Sequence, residues 1–288
     1  MSVVIFGMGF SGRAAAAELR AGGIETIDGT SRTPEGAAQL SALGFAGHVF
    51  DGTAPSETLR PALRDAGAAI FSIAPDEAGD PSLRHHAADL DAAPRLDWLC
   101  YYSTIGVYGD RGGDWVDETG ATDTTSARAQ RRIGAENAFR DYARSRGIPL
   151  SILRLGGIYG PGRSTFDKLR QGTARRVIKP GQVFNRIHVA DIARITALAA
   201  ARRLDGIFNL TDDEPAPPQD LVAFAADLMG ETPPPEIPFE AAGLNPMQSA
   251  FYADNKRVSN RAIKRALGIE MLFPNWREGL RAIHAGES

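Results

Sequence analysis

Three glycines set directly behind a short apolar run constrain this chain more than anything else in it. Ser2–Phe6 reads as a strand, Gly7-Met8-Gly9-Phe10-Ser11-Gly12 follows at once, and the Ala-rich stretch 13–20 is strongly helix-forming. A second strand over 25–30 leads into Ser31 and Arg32. Between a strand and a helix, a GxGxxG run signals a dinucleotide site. Gly7 permits the tight turn, Gly9 lets the backbone approach a pyrophosphate, and Gly12 lets the helix sit close on the strand. The helix start, with Phe10 and Ser11 in its first turn, offers free N–H groups and a partial positive charge to the phosphates.

The end of the second strand bears on which dinucleotide binds. An NAD site places Asp or Glu there to hold the ribose 2′-OH. Here Thr30 stands where that acid falls, followed by Ser31 and Arg32. A hydroxyl and a guanidinium suit a 2′-phosphate, which Arg grips bidentately. Asp28 is the competing acid, but it lies too early and would repel a phosphate. Taken alone Arg32 is an ordinary solvated loop cation; its place at a strand end beside the glycine turn gives it the phosphate role. The expected cofactor is NADP(H) rather than NAD(H).

The 288 residues suffice for one large α/β domain or two interwoven lobes. Charged residues make up 23% and the formal net charge is −3, a balance that points to neither nucleic acid nor a membrane surface. Cys100 lies in an apolar run without a neighbouring His or acid and reads as a buried small hydrophobe. As the single cysteine it forms no internal disulfide and fits a reducing compartment. The chain starts on a strand without a leader and holds no apolar run long enough for a bilayer, so a cytoplasmic protein is expected. No metal site is expected: CxxC and HExxH do not occur, and the adjacent His85 and His86 point about 100° apart on a helix.

Helical stretches near 35–43, 55–65, 80–92, 126–146 and 189–203 alternate with strands near 47–50, 68–73, 96–102, 149–155 and 206–210. Strands separated by helical spans pair in parallel through right-handed crossovers. Several are apolar on both faces, as a helix-covered sheet requires. The expected fold is α/β, a doubly wound parallel Rossmann sheet with a small, interwoven C-terminal substrate lobe. Residues 156–185 are rich in Gly, Arg and Lys, and 212–256 carry prolines at 215, 217, 218, 233, 234 and 235. The dinucleotide-binding domain is therefore expected over 1–155, with 186–211 returning to it, and 156–185 and 212–288 mainly form the lobe. Ligands of such sheets bind beyond the carboxyl ends of the strands, where that lobe would lie.

Four segments in order resemble a known family. They are the glycine turn 7–12, Tyr102-Ser103-Thr104-Ile105-Gly106-Val107-Tyr108-Gly109, Arg154-Leu155-Gly156-Gly157-Ile158-Tyr159-Gly160-Pro161-Gly162, and Arg186-Ile187-His188-Val189-Ala190-Asp191. Together they look like the extended short-chain dehydrogenase/reductases, which include the NAD-dependent epimerases and dehydratases acting on nucleotide sugars. The likeness covers nearly the whole chain. It implies the fold and cofactor class already read from the residues, a small-molecule carbonyl or nucleotide-sugar substrate, and a monomer or homodimer. Dimers of the family often form through the helices near 80–92 and 126–146, and the charge on the second makes a large apolar interface there unfavourable. The resemblance also implies that the Thr104 hydroxyl bonds the substrate oxygen at the reacting carbon. Asp51 would contact adenine, Ala74 and Pro75 would form the turn along the cofactor, and Ile158 would approach the nicotinamide ribose and ring.

The family's proton-transfer pair, Tyr-x-x-x-Lys with a Glu four residues on, is changed. Glu136 sets the register, which puts Arg132 at the Lys and Arg128 at the Tyr. Arg132 keeps a cation for the ribose, but a guanidinium with a pKa above ~12 shuttles no protons. Arg128 is no general acid near neutral pH for the same reason. Both also read as part of a solvated helix face shared with Arg131, Arg140, Arg144 and Arg146. Tyr101 and Tyr102 read as core, Tyr108 as structural, and His188 as a tie between a loop and the sheet. Tyr159, in a strand-end loop, is left as the expected substitute acid. Two functions follow. One is an NADP(H)-dependent oxidoreductase, epimerase or dehydratase with Thr104, Tyr159 and Arg132 at its catalytic site. The other is a catalytically degenerate NADP-binding sensor or regulatory protein.

Overall fold

The computed structural model describes residues 1–287. In chain order the elements are β1 (Ser2–Phe6), α1 (Phe10–Ala21), β2 (Thr26–Ser31), α2 (Pro34–Ala42), β3 (Ala46–Val49), α3 (Arg60–Asp65), β4 (Ala68–Phe71), α4 (Pro81–Asp91), β5 (Trp98–Thr104), β6 (Trp115–Val116), α5 (Ala127–Arg146) and β7 (Leu150–Leu155). They continue as β8 (Gly157–Tyr159), α6 (Thr165–Arg170), β9 (Arg176–Ile178), β10 (Arg186–His188), α7 (Val189–Arg202), β11 (Gly206–Leu210), α8 (Pro218–Leu228), β12 (Glu236–Pro238), α9 (Pro246–Ala253), β13 (Arg257–Val258), α10 (Arg261–Leu267) and α11 (Trp276–Glu287). Helix α3 is shorter than the sequence suggests. Pro61 sits in its first turn, where Pro favours a helix start, and the Ser56 N–H upstream bonds to His86 instead of a helical carbonyl.

Seven strands form a parallel sheet in the order β11-β7-β5-β4-β1-β2-β3. The chain builds the edge β1-β2-β3 first and then crosses to β4 on the other side of β1. The order therefore reverses between β1 and β4, the point where such a sheet binds ligands. This is the doubly wound Rossmann arrangement. Its central strands are buried on both faces: Val3, Val4, Ile5 and Phe6 of β1 and all of β4 have no exposure. Phe6 stacks on Phe71 with ring centroids 5.1 Å apart, and Phe139 of α5 closes on Phe71 at 4.6 Å and Tyr101 at 4.5 Å. Each such side chain contributes about 1.5–3 kcal/mol by leaving water.

The chain divides into two compact units. The first comprises Met1–Val107, Thr125–Arg154 and Ile192–Phe208; the second comprises Tyr108–Thr124, Leu155–Asp191 and Asn209 onward. Ser288, the last residue of the expected lobe, lies outside the described residues. The division departs from the expected domains in two places. Residues 186–188 do not return to the main sheet but pair as β10 with β8. Residues 108–124 belong to the second unit because β6 pairs with β13. The second unit has its own core, with Tyr159, Phe166, Leu221, Trp276 and Leu280 packed together.

Candidate cofactor and active site

The glycine turn lies at the carboxyl end of β1, at the reversal of strand order. Gly7 has φ +79°, and a Cβ there would come within 2.8 Å of the Ile73 side chain. A Cβ on Gly12 would sit 3.0 Å from the Gly7 carbonyl, so glycine is what lets α1 lie this close to the turn. Over Gly9 the space is open: a Cβ would meet nothing within 4 Å. Helix α1 starts at Phe10 with no side-chain cap and no acid in its first turn, and Ser11 is buried just inside it. These features fit a pyrophosphate, which needs backbone approach and uncompensated N–H groups.

The end of β2 is tied to that turn. Thr30 is buried, and its hydroxyl accepts the Gly7 N–H (2.7 Å) while its carbonyl accepts the Met8 N–H (2.9 Å). Asp28 is also buried, inside the strand, and its carboxylate meets His48 Nε2 on β3 at 2.9 Å. Neither group is left for a ribose. Ser31 is half-buried and its Oγ lies against Gly36 of α2. Arg32 is exposed and makes no hydrogen bond or ion pair among the described residues. The strand thus ends in a hydroxyl and a free guanidinium, with its one acid occupied by a histidine.

The ends of β3, β4 and β5 carry the next residues. Asp51 is exposed, and Oδ1 accepts both the Thr53 N–H (2.9 Å) and its hydroxyl (2.7 Å), which hold the carboxyl below its ordinary pKa. Its Oδ2 is left for a donor. Ala74 is exposed and Pro75 half-buried in the turn after β4. Thr104 is half-buried at the end of β5, and its Oγ1 accepts the Gly106 N–H at 3.1 Å, so the hydroxyl proton remains available to donate. Arg132 reaches across the strand ends from α5. Its Nη1 donates to the Tyr102 carbonyl (2.7 Å), to Tyr101 Oη (3.0 Å) and, at 3.5 Å, to the Ile73 carbonyl. Its other nitrogens have no partner among the described residues. A cation is therefore fixed between the ends of β4 and β5, beside Thr104. Arg128, one turn earlier, is exposed.

Beneath these residues lies a buried ion pair that the sequence reading missed. Glu136 accepts from Arg154 at Oε1 (3.0 Å) and Oε2 (2.7 Å), and from the Ser103 hydroxyl at 2.5 Å. Glu136 and Arg154 are each at most 3% exposed, so the pair fixes α5 to β5 and β7 from inside. The signal was present: Glu136 falls on the buried stripe of α5 with Ala129, Ala135, Phe139 and Ala143, where a charge needs a buried partner.

Tyr159 corrects the expectation of a substitute acid. It is the last residue of β8, buried in the core of the second unit, with its hydroxyl against Gly279 of α11. That hydroxyl has no hydrogen-bond partner, and burial together with the Asp212 charge pushes the phenol well above its ordinary pKa. Such a group is a poor proton donor near neutral pH. Ile158, half-buried, precedes it in β8 and pairs with Ile187. His188 meets the Tyr159 ring edge-on at 5.1 Å and Phe273 at 4.1 Å. Its Nδ1 accepts the Ala190 N–H (3.2 Å), which places the proton on the buried Nε2, and burial lowers its pKa to about 4. Tyr108 donates to Asn209 Oδ1 at 2.7 Å and is buried. Tyr101 and Tyr102 are buried on β5. No described group of three or more His, Cys, Asp or Glu is arranged to hold a metal, and no described helix is long and apolar enough to cross a membrane.

No family model matches the chain. It is similar to a conserved protein of unknown function from Silicibacter pomeroyi DSS, with 41% identity and a TM-score of 0.89 over 100% of this chain and 99% of that one. It is also similar to a Methylobacillus flagellatus protein assigned as an NAD-dependent epimerase/dehydratase, at 26% identity and a TM-score of 0.75 over 99% and 98% of the two chains. Among curated proteins, a 3-diazoavenalumate denitrifying reductase from a Streptomyces species is 30% identical over 142 residues. That match spans 45% of this chain and 45% of the relative, under half of its length. More distant structures share the fold: at 20% identity a Thermus thermophilus UDP-glucose 4-epimerase solved with NAD, and at 19% a human epimerase family protein solved with NADPH.

Proposed function

We propose that the chain is a member of the NAD-dependent epimerase/dehydratase family, of the short-chain dehydrogenase/reductase type, and within it an NADP(H)-dependent reductase of a small carbonyl-type molecule. The observation that carries this reading is the end of β2, where Arg32 makes no hydrogen bond or ion pair among the described residues and Asp28, the acid of that strand, is taken by His48. A 2′-phosphate is the part of the cofactor that such a guanidinium selects. Gly7, Gly9, Phe10, Ser11 and Gly12 hold the pyrophosphate, Ser31 and Arg32 the 2′-phosphate, Asp51 the adenine, and Arg132 the nicotinamide ribose. Ala74 and Pro75 form the turn that follows the cofactor. When bound, the reduced nicotinamide supplies a hydride. Thr104 then donates its hydroxyl proton as a hydrogen bond to the substrate oxygen and orients the carbon that is reduced.

Reduction fits these residues better than epimerisation. Epimerising a sugar needs a side chain that takes a proton and returns it, and Arg128 stands where the family's tyrosine does so. The curated relative, by its printed name a reductase that denitrifies a diazo compound, favours the same side. One alternative draws on the same residues: with Arg128 and Arg132 in place of Tyr and Lys, the chain is a cofactor-binding sensor without turnover. NADPH binding followed by fluorescence, then a screen of carbonyl compounds and nucleotide sugars for NADPH oxidation, separates the two. Oxidation is expected, with kcat/KM reduced about 100-fold in Thr104→Ala. An unchanged Thr104→Ala rate removes that residue from the mechanism. Binding without turnover across the panel establishes the sensor.

A further inference from the structure

Helix α5 carries five arginines after Arg128, and each has a partner. Arg131 pairs with Glu77, Arg132 holds the strand-end oxygens, Arg140 bonds Asn137, Arg144 pairs with Asp141, and Arg146 pairs with Asp91. Arg128 makes no hydrogen bond or ion pair among the described residues. It lies in the first turn of α5, next to the end of β5. A Cβ placed on Gly106 would be 3.3 Å from Thr104 Oγ1 and 3.9 Å from the Ala129 methyl, so this turn and the Thr104 hydroxyl flank the same small space. The start of α5 therefore flanks the Thr104 hydroxyl, and Arg128 is the residue next to the Ala129 methyl that does so. Of the tyrosines weighed as proton donors, Tyr101 and Tyr102 are buried, and Tyr159 belongs to a core.

We propose that Arg128 replaces acid catalysis with charge stabilisation, and that the substrates are conjugated carbonyls of the enone and quinone-methide class. Their reduced form leaves as an enolate or phenolate. The proposal rests on the reductase reading above and narrows its substrate. An isolated ketone becomes an alkoxide, which is far too basic to leave unprotonated. A phenol ionises near ~10, and a neighbouring cation lowers an acid's pKa by about 1–3 units, enough for a phenolate and not for an alkoxide. The electron count closes without a protein acid. The hydride pair lost by the reduced nicotinamide makes a new C–H bond at the far carbon of the C=C bond. The π pair of that bond shifts toward the carbonyl carbon, and the C=O π pair settles on the oxygen. The oxyanion is held by the Arg128 guanidinium and the Thr104 hydroxyl, and it takes its proton from water after release.

The test has a binding arm and a turnover arm, on the full chain with NADPH affinity measured first by fluorescence. In the binding arm, nitrophenol is titrated by absorbance on the NADP⁺-loaded protein. Bound nitrophenol is expected to ionise about 1–3 pH units below the free compound. Arg128→Gln should abolish that shift and Arg128→Lys should keep most of it. In the turnover arm, an enone and its saturated ketone are compared by NADPH oxidation. The enone should be favoured by at least ~100-fold in kcat/KM, and Arg128→Gln should lose about 100-fold on it. Equal turnover of the saturated ketone, an unshifted nitrophenol, or no enone turnover with NADPH bound each overturns the proposal and leaves the cofactor reading intact. Failure of NADPH to bind overturns both.

Discussion

Helix α5 handles charge in opposite ways at its two ends. In its middle, Glu136 is buried and bonded by Arg154 and Ser103. At its start, Arg128 is exposed and unpaired. Buried charge is tolerated only when every lone pair is answered, so the inner part is scaffold, whose loss would loosen β5 and β7. The outer turn is free of that constraint, and there the side chain can change with the chemistry. The helix thus holds its acid inside, bonded to the sheet, and an arginine without a partner among the described residues at its start.

The comparison can be broken by removing each charge in turn. Glu136→Ala removes the buried carboxylate that Arg154 and Ser103 bond, and should cost about 3–5 kcal/mol in chemical denaturation. A loss below about 1 kcal/mol would mean the pair is not a scaffold. A smaller effect should appear in the second unit, where His188 is kept neutral by burial. Its pKa falls from 6.5 in the unfolded chain to about 4 in the folded one. The unfolded state therefore binds a proton that the folded state refuses between those values. Stability is complete above pH 6.5 and declines as the pH drops towards 4, by about 3 kcal/mol in all. Denaturation midpoints between pH 7 and 4 check this; a His188→Phe variant that keeps the full decline would assign it elsewhere. The smallest effect is expected at Arg128→Ala, which should alter stability by no more than about 0.5 kcal/mol. A large loss there would show that the outer turn also carries structure.

What the sequence made legible follows from how local each determinant is. The strand, glycine turn and helix at 1–21 could be read because every reason for a glycine lies within a few residues or in the neighbouring strand. The alternation of elements likewise specified the doubly wound sheet. Tyr159 was misread because its burial is decided by α11, more than a hundred residues on, where Gly279 leaves room for the ring. The return of 186–188 was misplaced for a similar reason: an apolar strand pattern does not say which sheet it joins, and β10 joins β8. Asp28 reads in the sequence as a competing acid set too early, and only the β2–β3 register brings His48 onto it. Glu136 and Arg154 lie 18 residues apart, and only the packing of α5 against β7 brings the carboxylate onto the guanidinium.

The central claim is that a nicotinamide dinucleotide with a 2′-phosphate binds at the glycine turn and the end of β2. Calorimetry of the cofactor-stripped protein with NADP⁺ and NAD⁺, repeated on Arg32→Ala, tests it most directly. The account predicts tighter binding of NADP⁺, and in the variant a loss of about 1.5 kcal/mol for NADP⁺ with NAD⁺ unchanged. Equal losses for the two cofactors would contradict the role of Arg32, and no heat from either would contradict the site itself.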